Sequence, residues 1–319
     1  ASTTPLFDTT GPGPLSGFGR DIWFADVNAD GYDDLFVGAQ DQDQPAQAFS
    51  GHAGYVYGFH GSATPDTTAD FEAYGVSDTY GFGERGAGGD LNGDGYDDII
   101  VLATDSPTPK AALFTGSSSG LTSGAVSSAD ALIAFSGDNS SGIPSAVAIG
   151  DFDNDGIEDL LVGVSTSSPD GKLFAGGADL FFGRSGWSAT GTTRDFTISG
   201  DLAGDYVGQN VCLGDINNDG LDDIILNSPY AEESGRSQSG QVYTILGRGY
   251  AAVSLDIDVS GGTVTLSVSS RSGRTVTIKR TGDPSSGWTE VDTINTGTSD
   301  DQVMDILVSG RKQFYRARN

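Results

Sequence analysis

A short acidic pattern returns four times along this chain, at a spacing that leaves few folds open. Its first copy carries Asp26, Asn28, Asp30, Gly31, Asp33 and Asp34, and its second Asp90, Asn92, Asp94, Gly95, Asp97 and Asp98. The third carries Asp151, Asp153, Asp155, Gly156, Glu158 and Asp159, and the fourth Asp215, Asn217, Asp219, Gly220, Asp222 and Asp223. The starts lie 64, 61 and 64 residues apart. A period of this length means that one supersecondary unit is being arrayed.

The likeness extends beyond the acidic loop. Eight residues before each first Asp stands Phe18, Phe82, Ile143 or Val207, and nineteen before it stands Phe7, Phe71, Leu132 or Phe196. After the loop comes an apolar run starting at Leu35, Ile99, Leu160 or Ile224, and a further β-rich segment near Tyr55, Ala112, Leu180 or Val242. Each copy therefore offers four strands with turns between them and no helical periodicity. Four-stranded units repeated radially are propeller blades. The segments at Phe71, Leu132 and Phe196 are expected to be outermost strands of the preceding blade. The strand near Phe7 is then free to pair with the one at 242–246 and close the ring. Residues 1–250 are read as an all-β, four-bladed β-propeller, with an eight-bladed ring from two chains as the alternative.

The loop chemistry points to a hard divalent cation, which takes six or more oxygens at short range. Positions 1, 3, 5 and 9 supply side chains: Asp26, Asn28, Asp30 and Asp34, then Asp90, Asn92, Asp94 and Asp98. The third set is Asp151, Asp153, Asp155 and Asp159, and the fourth Asp215, Asn217, Asp219 and Asp223. Position 7 (Tyr32, Tyr96, Ile157, Leu221) offers a backbone carbonyl, and Gly at position 6 permits the positive φ that folds the loop back. About four Ca²⁺ ions, one per repeat, are expected, as structural staples. An EF-hand is excluded, because position 12 is Val37, Val101, Val162 or Leu226 instead of a bidentate Glu. Asp and Gly also favour turns without any metal, but four copies in register argue for a shared ligand.

These residues carry a family resemblance. Phe18 and Gly19, the Asp26–Asp34 loop and the following Asp34–Gln40 segment resemble the FG-GAP repeat of integrin α subunits and their bacterial relatives. The resemblance implies propeller blades with Ca²⁺ loops between the first two strands. Integrin propellers usually have seven blades, and the Gly-Ala-Pro element is altered here at Gly38, Leu102, Gly163 and Asn227. Relatives with this repeat include polysaccharide lyases and phospholipases, so the resemblance also admits an enzyme.

Charge divides the chain. Of 44 acidic and 16 basic residues, residues 251–319 hold eight of each, so the whole net charge of −28 falls in 1–250. Such a surface repels phosphate, which argues against nucleic acid or an anionic membrane as partner. Residues 251–319 alternate in a way that suits about six antiparallel strands, a small β-sandwich of immunoglobulin or fibronectin type. No apolar run approaches the roughly 20 residues of a membrane span. Cys212 is the only cysteine, so no intrachain disulfide forms, and its place in an apolar alternation predicts a buried residue. The absence of an initiator Met at Ala1 fits removal of a signal peptide or other trimming. Together with the calcium loops, this sets the expectation of a secreted or cell-surface protein, monomeric with a dimer as the alternative.

Groups for acid–base chemistry are few. His52 and His60 are the only histidines, and eight strand residues would hold them more than about 20 Å apart. No nucleophile elbow, P-loop, zinc motif or dinucleotide fingerprint is present. Binding is expected on the loops opposite the calcium edge, 40–53, 104–110, 164–177 and 229–239. His52, Tyr80, Tyr206 and Tyr230 are the candidate ligand residues, with Trp187 nearby; each aromatic could instead pack between blades. The expected function is a binding, adhesion or scaffold module for an extracellular protein or carbohydrate. A polysaccharide-processing lyase or hydrolase is the alternative.

Overall fold

A computed structural model describes residues 9–11, 13, 15–43, 53–76, 81–103, 110–134, 142–187, 194–232 and 238–247, and strand backbone within 254–318. The described chain is all-β, its helical residues confined to two single 3-10 turns, Val126–Ser128 and Pro169–Gly171. It divides into two compact units. One is Ala1–Phe152 with Gly156–Gly247, the other Arg248–Asn319 with Asp153–Asp155.

The first unit is a succession of antiparallel sheets, one per repeat. The first sheet runs β1 (Phe18–Ala25), β2 (Asp34–Ala39), β3 (Tyr55–Phe59) and β4 (Phe71–Tyr74). The second contains β5 (Phe82–Gly89), β6 (Asp98–Ala103), β7 (Lys110–Phe114) and β9 (Ala131–Ala134), while the two-residue β8 (Gly124–Ala125) pairs in parallel with β4. The third is β10 (Ala146–Gly150), β11 (Asp159–Gly163), β12 (Gly177–Phe181) and β13 (Phe196–Ser199). The fourth has three strands among the described residues: β14 (Val211–Gly214), β15 (Asp223–Ser228) and β16 (Gln241–Ile245).

The outer strands fall where the repeat puts them. Phe71 pairs with Gly58, Leu132 with Ala112, and Phe196 with Leu180. The proposed closing strand near Phe7 lies outside the described residues.

Period-two alternation gives each sheet two apolar faces, and consecutive sheets bury them against each other. Trp23, Phe36 and Phe71 of the first sheet form one cluster with Phe82, Val101 and Phe114 of the second. Trp23 stacks on Phe36 at 5.9 Å, and Phe71 meets Phe114 edge-on at 5.4 Å. Ile100, Leu102 and Leu113 pack on Leu160, Val162 and Phe181, and Leu161 and Leu180 pack on Ile224 and Leu226. This is a propeller-like order of sheets. Among the described residues the series stops at the fourth sheet, whose outer face exposes Val242 and Leu246. Cys212 lies on that face, across from Ile225, and is exposed. The expectation of a buried thiol is thus corrected: alternation does place Cys212 on a sheet face, but no described sheet covers that face.

Among the described residues the second unit has six strands in two three-stranded antiparallel sheets. One is ordered β17 (Ser254–Ser260), β18 (Thr263–Ser269), β21 (Asp301–Ile306), the other β20 (Thr289–Asn295), β19 (Thr275–Thr281), β22 (Phe314–Arg318).

Candidate metal loops and an aromatic cluster

All four acidic loops connect the first and second strands of their sheets, and the first, second and fourth share one hydrogen-bond pattern. In the first, Asp26 Oδ2 accepts the Gly31 N–H at 2.9 Å and Asp26 Oδ1 the Asp30 N–H at 3.1 Å. Asn28 Oδ1 accepts the Asp30 N–H at 2.9 Å, and Asp30 Oδ1 the Tyr32 N–H at 3.0 Å. The same bonds recur in the second loop around Asp90, Asn92 and Asp94, and in the fourth around Asp215, Asn217 and Asp219. In the third, Asp151 Oδ2 accepts the Gly156 N–H at 2.9 Å. Position 6 adopts φ of 87°, 88°, 85° and 87° at Gly31, Gly95, Gly156 and Gly220, a region that a Cβ strains.

Position 9 is fully buried in every copy: Asp34, Asp98, Asp159 and Asp223 have no exposed surface. One carboxylate oxygen accepts the N–H of the glycine that follows the third strand: Gly61 at 2.7 Å, Gly116 at 2.9 Å, Gly183 at 2.8 Å and Gly247 at 2.7 Å. The other accepts the position-2 N–H in three copies, from Val27, Phe152 and Ile216. In the second copy the Leu91 N–H turns to Gly89 O, and Asp98 Oδ2 is left buried with no hydrogen-bond partner. Burial, with the negative charges of Asp94 and Asp90, pushes the Asp98 carboxyl up to about 7. Burial likewise raises Asp34.

Where position 3 is Asp, carboxylate oxygens of Asp151, Asp153 and Asp159 lie within 4.8 Å of one another. The donor set is oxygen throughout, and a buried carboxylate oxygen without a donor (Asp98 Oδ2) is what a hard cation would satisfy. The residues present therefore fit calcium.

Position 8, which carries no role in the sequence-predicted ligand set, reaches across to the preceding sheet. Asp97 Oδ2 accepts the Asp26 N–H at 2.9 Å, Glu158 Oε2 the Asp90 N–H at 2.7 Å, and Asp222 Oδ2 the Asp151 N–H at 3.0 Å. Burial raises Asp97 and Glu158 above the usual carboxylate range. The signal was present in the sequence: position 8 is acidic in all four copies.

Two of the candidate ligand residues meet. The rings of Tyr206 and Tyr230 lie 5.2 Å apart, edge to face, and Phe174, which sequence reasoning missed, stacks on Tyr206 at 5.5 Å. Phe174 and Tyr230 are 45% and 43% exposed. Phe174 and Tyr206 both adopt φ of 54°, and Phe174 O accepts the Tyr206 N–H at 3.0 Å. Holding two aromatic residues in this region costs on the order of 1 kcal/mol each. Trp187 is committed elsewhere: its Nε1–H donates to Leu91 O at 2.9 Å, under the Arg184 guanidinium. His60 follows β3 directly, and its backbone N–H donates to Asp70 Oδ2 at 2.8 Å. His52 and Tyr80 lie outside the described residues.

Comparison with known proteins follows the same repeats. A model of the FG-GAP-like repeat matches residues 90–162, and the FG-GAP repeat model matches 18–59 and 207–245. Integrin alpha-5 of Xenopus laevis is 33% identical over 105 residues, 32% of this chain and 9% of that protein. Phosphatidylinositol-glycan-specific phospholipase D of Bos taurus is 24% identical over 245 residues, 74% of this chain and 22% of that protein. The chain thus spans less than a quarter of the length of either relative. Among solved structures, exotype rhamnogalacturonan lyase YesX aligns with a TM-score of 0.42 at 11% identity, covering 88% of this chain and 56% of that one. The matched segments coincide with three stretches of the sheet series and include all four acidic loops, so these stretches of the chain are FG-GAP repeats.

Proposed function

We propose that this chain is an extracellular binding module: four propeller blades (residues 1–250), each clamped by a calcium ion, followed by a small β-sandwich of immunoglobulin or fibronectin type. Each ion is held by positions 1, 3, 5 and 9 and the position-7 carbonyl, and keeps the turn between the first two strands fixed. The blades present loops to an extracellular protein or carbohydrate ligand. The observation that carries the reading is the Phe174, Tyr206 and Tyr230 cluster, half exposed although built on two residues at φ of 54°. Strained backbone is kept where function needs it, and aromatic faces give large contact area at small entropic cost.

The test is an array of glycans and extracellular-matrix proteins, probed with and without calcium. Binding that drops more than about tenfold in Tyr230→Ala and Phe174→Ala supports the reading. An array without a hit, or hits indifferent to both substitutions, overturns it. Turnover of an arrayed glycan would instead favour the polysaccharide-processing alternative.

A further inference from the structure

One contact recurs at all three junctions between consecutive sheets, and two of these junctions share a fuller plan. The position-8 carboxylate of the later sheet accepts the position-1 N–H of the earlier one. The position-2 side chain of the earlier loop plugs into the later sheet: Val27 is 1% exposed in the cluster holding Phe114, and Leu91 is 0% exposed beside Phe181. The carbonyl of that same residue accepts the Ser117 N–H at 3.0 Å or the Arg184 N–H at 2.9 Å. The earlier sheet's first strand ends in a small residue because the later sheet presses on it. A Cβ at Gly150 would lie 2.5 Å from Asp222 Oδ2 and 2.9 Å from Leu213 Cβ.

The two ends of the series hold the two halves of a fourth such junction. On the fourth sheet, the plug residue Ile216 is 59% exposed, and a Cβ at Gly214 would meet nothing within 4 Å among the described residues. Val242 on the same side is 70% exposed. The first sheet offers the receiving half. Asp33, its position-8 acid, is exposed and, among the described residues, accepts no N–H in the way that Asp97, Glu158 and Asp222 do. A groove of about 220 Å³ beside it is lined by Phe24, Leu35, Phe59, His60 and Gly61, the counterparts of the residues that seat Val27 and Leu91. Phe24 and Ile22 are 57% and 60% exposed.

We propose that the fourth sheet docks head-to-tail on the first sheet of a second copy of this chain. Ile216 enters the Phe24–Phe59 groove, and Asp33 of the second copy takes the Asp215 N–H. A second copy is the occupant because it presents every element that the fourth sheet lacks, and because the contact continues an interface that the chain already makes three times. The contact is heterologous, so two copies close on themselves only if each gives a tail and receives a head.

The experiment is the mass of the full 319-residue chain in solution, by light scattering and sedimentation over a dilution series in calcium. Wild type is expected as a dimer or larger. Gly214→Val on the tail and Phe24→Ser on the head each weaken association more than about tenfold. Gly214→Val adds a side chain in open space, so its single-chain melting temperature stays that of wild type. Mixing the two variants restores association, since the Phe24 of one and the Gly214 of the other make one intact junction. A wild type that stays one chain overturns the proposal. So does association that both variants leave unchanged. If wild type is one chain and Gly214→Val lowers its melting temperature, the ends meet within one molecule, and the proposal falls on that outcome as well.

Discussion

Asp34→Ala tests one carboxylate of the loop for two roles, the strap made by its hydrogen bonds and the cation ligand proposed above. Asp34 accepts the Gly61 N–H at 2.7 Å and the Val27 N–H at 3.2 Å, tying β3's end and the loop's start to the beginning of β2. It has no exposed surface, and Val27 is 1% exposed, so water cannot replace it at that donor. Hydrogen bonds to a charged group contribute about 1.5–3 kcal/mol each, or roughly 3–6 for the pair. Removing a buried charge returns part of this, since burial already raises the Asp34 carboxyl. A net loss of about 2–4 kcal/mol remains, which for a unit of this size is a melting point lower by roughly 5–15 °C. The assay is thermal unfolding by circular dichroism, in millimolar calcium and again in excess EDTA. If Asp34 is both ligand and strap, the variant melts below wild type in both buffers, by more in calcium. Asp34→Asn keeps one acceptor oxygen and falls between the two. Variant and wild type melting together in EDTA would refute the strap, leaving Asp34 a ligand and nothing more.

Three further outcomes follow from the same geometry. Gly150→Val is expected to cost about 1–3 kcal/mol of stability through overpacking against Asp222 and Leu213, measured by urea unfolding. Chelated protein should lose stability as pH rises between about 4 and 7. Asp98 moves from an ordinary 3.8 to about 7 in the fold, so the folded state binds more protons across that window, and its contribution is full at the acid end and lost through 7. Urea midpoints at pH 5 and 7.5 in EDTA check the sign, and saturating calcium should shrink or reverse the trend. Ala29→Gly should stabilise by about 1 kcal/mol, because Ala29 sits at φ of 54°, and a differential melt reads it.

Much of this was legible from spacing. Register carries strand order, so Phe71, Leu132 and Phe196 could be assigned to the outer edge of the preceding sheet from the repeat alone. The loop turn was legible because the same residue types recur at positions 1, 3, 5 and 6, and they take the same N–H partners in three copies. What stayed hidden depends on distance in space. Position 8 looked like a spare acid until the neighbouring sheet's N–H came within 3.0 Å. Phe174 and Tyr206 stand 32 residues apart, and both sit in left-handed backbone where their rings stack. Cys212 reads as core from alternation alone, yet alternation gives a face without saying what lies over it.

The acids at position 8 have a thermodynamic consequence. Asp97, Glu158 and Asp222 each hold the N–H of the very residue that opens the preceding acidic loop, so ordering one loop favours its neighbour through a single side chain. Energy is thereby shared only between adjacent units, as in a one-dimensional array with nearest-neighbour terms. In a single chain, unfolding of such an array starts from an end, where a unit has one neighbour, and it advances inward. Calcium affinities should grade in the same sense, with the inner loops filling first and each filled loop sharpening the next.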